Sequence, residues 1–133
     1  MTEITSLEEL AGLVDQAGEP LYVRFSEGPE ADAHARSIDH ESGLELPGLS
    51  VNPLHPESWW SRPLHDWLAR QLCQYANLQE ENPRSHAWVL TGRVAGRGPD
   101  CEPLIAEPRP VAAIADAVID EAGRVYSERF DRE

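Results

Sequence analysis

A chain of 133 residues with 41% hydrophobic and 26% charged side chains has apolar material for one core and too much of it for a disordered segment, so one domain over 1–133 is expected. Eleven arginines face 24 acids, and the net charge of −13 excludes the broad basic surface that a nucleic-acid backbone needs. Lysine is absent, which removes the phosphate-loop lysine, the Schiff-base lysine and the kinase-type strand lysine, and leaves arginine as the side chain for phosphate or carboxylate.

The first element read from the sequence is a helix. Thr5 and Ser6 each open a capping box, Leu7, Leu10, Ala11 and Val14 follow helical spacing, and Gly18 closes it. "LYVRFS", 21–26, is a strand with Leu21, Val23 and Phe25 on one face and Tyr22, Arg24 and Ser26 on the other. Residues 27–43 read as an acidic loop with one helical turn around Ala31–Arg36, and 44–51 as a second strand. "PESWW" is a turn that delivers Trp59 and Trp60. Pro63 suits the first turn of a helix whose inner face is Leu64, Trp67, Leu68, Leu72 and Tyr75, with Asp66 and Arg70 paired outside. Residues 76–85 read as a polar loop, 86–96 as a third strand, "EPLIA" as a fourth and "RPVAAI" as a fifth. The last helix, about 116–129, turns Val118, Ala122, Val125 and Tyr126 inward, with Gly123 weakening it by about 1 kcal/mol. This order predicts an α+β fold, a small mixed or antiparallel sheet with flanking helices.

No apolar run reaches the roughly 18 residues of a membrane span. The start, "MTEITSLEEL", is acidic and unlike a signal peptide, so a cytoplasmic place is expected, with Cys73 and Cys101 as free thiols. Asp39-His40-Glu41 lies in a charged loop without helical His spacing, so no metal is expected. "GRVAGRG" lacks the dinucleotide fingerprint and reads as a strand end and turn. The tryptophans read first as core; adjacent Trp59 and Trp60 cannot face the same way on regular structure, so one of them is a candidate for a pocket wall, with core the preferred reading.

Arg24 in "LYVRFS", Ser50 in "GLSVNPL" and Glu102 in "DCEPLIAEPRPVAAI" sit on or beside predicted strands with apolar neighbours. Their order and spacing are similar to the Arg–Ser–Glu class of ADP-ribosyltransferases. Ser50 is flanked by Leu49 and Val51 where that class often has Ser-Thr-Ser, and Asp100 stands two places before Glu102 where it often has Gln or Glu. The resemblance implies an NAD site. Arg24 would grip NAD phosphate through its fork, and Ser50 would orient Glu102 and the ribose. Glu102 would stabilise the oxocarbenium-like centre as nicotinamide leaves, with Tyr22, Trp59 or Trp60 stacking on the ring. A protein target would then be the second partner. Across nearly its whole length, through "LPGLSVNPL", the Trp-Trp turn and "WVLTGRVAGRGPDCEPL", the chain also resembles a small bacterial family known as domain of unknown function 6098. The rival to an NAD enzyme is a non-enzymatic acidic protein that binds a partner through the tryptophan turn or the 27–43 loop.

Overall fold

Ser6 takes the N-cap of the first helix, α1 (Leu7–Gln16), and accepts the Glu9 N–H at 3.1 Å. The Glu9 carboxylate reaches back to the Thr5 N–H at 2.9 Å, one residue earlier than a reciprocal capping box would place it. These features belong to a computed structural model that describes residues 2–34, 48–81, 83–99 and 101–130. Before α1 runs a three-residue strand, β1 (Thr2–Ile4). After it come β2 (Tyr22–Ser26), α2 (Pro29–His34), β3 (Leu49–Ser50), β4 (Asn52–Pro53), α3 (Leu64–Cys73), α4 (Ala76–Glu81), β5 (His86–Arg97), β6 (Pro103–Ile114) and α5 (Asp116–Phe130).

Among the described residues the strands form one mixed sheet in the order β1-β6-β5-β2-β4, with β1 parallel to β6 and the other pairs antiparallel. The short segment 49–53 curls it. Its first half pairs with β6 (Leu49 with Ile105, Ser50 with Leu104) and its second half with β2 (Tyr22 with Pro53, Val23 with Asn52). One stretch of chain thus joins two strands that lie apart in the sheet, and the sheet closes on itself. The backbones approach closely there: a Cβ on Gly48 would lie 2.6 Å from the Ile105 carbonyl oxygen.

The two faces carry separate apolar clusters, as strand alternation requires. Val23, Ala87, Val89, Ala112 and Ile114 face the helices and meet α1, α3 and α5 through Leu10, Val14, Trp67, Leu68, Leu72, Val118 and Ile119. Tyr22, Leu49, Val51, Trp88, Leu90 and Ile105 fill the inside of the curl. Leu49 and Val51 therefore point inward, and Ser50 and Asn52 between and beyond them point out.

The α+β architecture and the mixed sheet with flanking helices stand as expected. Several details differ. The fourth and fifth strands are one strand, β6. Pro108 and Pro110 do not break it, because the β5–β6 ladder shifts register at three places and Glu107 adopts a φ of 53°. The polar stretch after α3 holds a short helix, α4, which has no apolar stripe to announce it. Asp66 does not pair with Arg70 outside. It is buried at 2% exposure, accepts Arg62 Nε at 3.2 Å and lies 3.9 Å from Arg129 Nε of α5. The helical turn in the acidic loop runs over 29–34, ahead of the expected span. Arg36, the Asp39-His40-Glu41 cluster, the start of the 44–51 strand and Asp100 lie outside the described residues.

Candidate ligand-binding cleft

The outward face of the 49–53 segment looks into a cleft of about 600 Å³. Ser50 and Asn52 form one wall by alternation. The second wall is α3, where Trp67, Arg70, Gln71 and Gln74 follow helical spacing and so share one face. Trp67 Nε1 and Gln71 Nε2 both donate to the Pro53 carbonyl, at 3.2 and 2.8 Å, and pin that helix to β4. The third wall is the turn joining β5 to β6, with Arg97, Cys101 and Glu102. Glu57 and Trp59 close the rim.

Two arginines and two glutamates balance the formal charge of these walls, inside a chain of net −13. The Arg70 guanidinium lies 5.4 to 6.0 Å from the ring centres of Trp59, Trp60 and Trp67, which meet one another edge to face. Trp59 is 64% exposed and stands at the mouth. Asn52 also donates to the Tyr75 hydroxyl at 2.8 Å, and Tyr75 stacks on Phe25. Burial pushes the Tyr75 phenol up to about 12, against smaller lowering effects of the Asn52 hydrogen bond and the Arg24 guanidinium.

The sequence-derived residues divide between the cleft and the interior. Ser50, Glu102 and Trp59 line the cleft; Arg24, Tyr22 and Trp60 are not among its described lining residues. Arg24 shares the Tyr22 face of β2. Its Nε donates to Asp32 at 2.7 Å, its Nη2 to the other Asp32 oxygen at 3.3 Å, and its Nη1 to the Ser50 carbonyl at 2.8 Å. Asp32 is itself buried and accepts the Ser26 hydroxyl at 2.6 Å, and Ser26 accepts Trp88 Nε1 at 3.0 Å. Arg24 thus holds the backbone of the Ser50 strand from inside, while Ser50 presents its residue position to the cleft. Tyr22 is 8% exposed and belongs to the inner cluster. Trp60 packs against the main core and donates to the Pro63 carbonyl.

As cleft residues, Arg70, Arg97, Asn52, Gln71 and Gln74 were not marked by the sequence. Part of the signal was there. Ser50 and Asn52 alternate with apolar neighbours, and Trp67, Arg70, Gln71 and Gln74 form a helical stripe. Among the described residues, no group of three or more His, Cys, Asp or Glu side chains could hold a metal ion, and no helix is long and apolar enough to cross a membrane.

The model of a protein family described as a family of unknown function (DUF6098) matches residues 1–133. The chain belongs to that family. No curated protein and no solved structure matches it.

Proposed function

We propose that the cleft is a binding site for a small anionic ligand with a planar ring, of the nucleotide class, and that NAD is the member to which Ser50 and Glu102 are suited. The observation that carries this reading is the pairing of Arg70 and Arg97 with an exposed indole around one cleft. A volume of about 600 Å³ is in the range of small-molecule sites, and mostly polar walls suit a charged ligand better than an apolar one. Arginine forks suit phosphate oxygens, and the Trp59 ring suits a base. In this reading Arg70 and Arg97 take the phosphate role that the resemblance implied for Arg24. Arg24 becomes a positioning residue behind Ser50.

Glu102 then stands for the carboxylate beside the nicotinamide ribose. The bond between ribose C1′ and the nicotinamide nitrogen breaks, and its electron pair leaves with neutral nicotinamide. The carboxylate stabilises the ribosyl cation until water, or a nucleophile on a protein target, adds its oxygen or nitrogen and loses a proton. The same reading keeps the chain in the cytoplasm, a reducing compartment in which its cysteines are expected to stay as thiols.

Calorimetric titration with NAD, followed by chromatography for nicotinamide, tests this. The wild type is expected to bind NAD and release nicotinamide, and Glu102→Gln to bind with release reduced about 100-fold. A wild type that neither binds nor cleaves NAD leaves the second reading, a protein-docking surface. What favours that one is the 64% exposure of Trp59, since tryptophan is a preferred anchor at interfaces.

A further inference from the structure

We propose that Gly98 is a positioning residue for Glu102, kept without a side chain so that the Glu102 carboxylate can lie across it at the cleft. The turn from β5 to β6 is closed by two backbone bonds, Gly98 N–H to the Glu102 carbonyl at 2.9 Å and Cys101 N–H to the Gly98 carbonyl at 3.0 Å. A tight turn commonly spends its glycine where φ must be positive. This one does not. Among its described residues the left-handed one is Cys101, with a φ of 63°, although a cysteine is poorly suited to it. Gly98 does not have a positive φ. What Gly98 lacks is a Cβ, and a Cβ there would overlap the Glu102 carboxylate itself. The obstacle is the far end of a flexible side chain, not backbone. An alanine would therefore spare the fold and displace the carboxylate.

The catalytic consequence rests on the NAD reading above; the placement of the carboxylate does not. Two readouts on Gly98→Ala keep the two apart. The first is the carbon-13 carboxyl resonance of Glu102, assigned by its loss in Glu102→Gln. It is expected to move in Gly98→Ala while circular dichroism and the melting temperature stay at wild-type values. In a Glu102→Asp background the shorter side chain clears the new methyl group, so adding Gly98→Ala is expected to leave its carboxyl resonance in place. The second is nicotinamide release, expected to fall to the Glu102→Gln level with NAD affinity within about threefold of wild type, a split that a merely structural glycine would not produce. An unmoved Glu102 resonance in folded Gly98→Ala overturns the proposal. So does an unfolded Gly98→Ala, which would make the glycine a requirement of the turn. A wild type that releases no nicotinamide, with the resonance still displaced, retires the NAD reading and upholds the role of Gly98.

Discussion

Burial decides the chemistry of single residues beside the cleft. The Tyr75 phenol, ordinarily ionising near 10, is pushed up to about 12 because the ionised form would lose its water. The folded state therefore holds this proton more tightly than the unfolded chain. The contribution is full below pH 10 and is lost as pH rises to 12, on the order of 2–3 kcal/mol over that window. The absence of lysine leaves the window clear of lysine ammonium titrations. Tyr75→Phe is expected to cost about 1 kcal/mol at neutral pH, from the lost Asn52 bond, and to flatten the alkaline fall of the urea midpoint. Equal alkaline losses in both proteins would contradict the burial argument. Arg24 shows the limit of reading residues in sequence. Its strand and its face are legible in "LYVRFS", but the pairing with Asp32, in the helical turn of the acidic loop, depends on how that turn packs against β2 and is not.

Elements were legible where local chemistry alone decides them. Ser6 and the Leu7, Leu10, Ala11, Val14 spacing mark α1, and Pro63 with the Trp67, Leu68, Leu72 face marks α3. The 49–53 segment was not legible in full, because its shape depends on pairing at once with β6 and β2, far away along the chain. The apolar–polar alternation of Leu49, Ser50, Val51 and Asn52 is visible, but which side forms a core follows from the curl. Gly48 is the position where that pairing meets hard sterics. Gly48→Ala puts a methyl group against Ile105 backbone atoms at 2.6 to 2.9 Å, and backbone gives way less readily than a side chain. The expected loss is about 1–3 kcal/mol by urea unfolding, from overpacking where β3 meets β6. An unchanged midpoint would mean that β3 does not lie against β6 as described.

The whole molecule sets a charge-balanced cleft against a strongly acidic background, and the family it belongs to supplies no activity to lean on. Composition spoke at this scale only by exclusion, through missing lysine and an excess of acids. That Ser50 and Glu102 would share a cleft, with Arg24 behind its wall, depended on how the sheet closes. The central claim is that a nucleotide enters this cleft, and its location is testable through the four tryptophans. Trp59 stands at the mouth and Trp88 is buried inside the curl, its indole N–H on Ser26. A titration with NAD followed by nitrogen-15 NMR of the indole N–H groups, assigned by single Trp-to-Phe variants, reads both at once. Progressive displacement of the Trp59 resonance with that of Trp88 unmoved is the expected result. An unperturbed Trp59 at saturating NAD, or displacement confined to Trp88, would contradict the account.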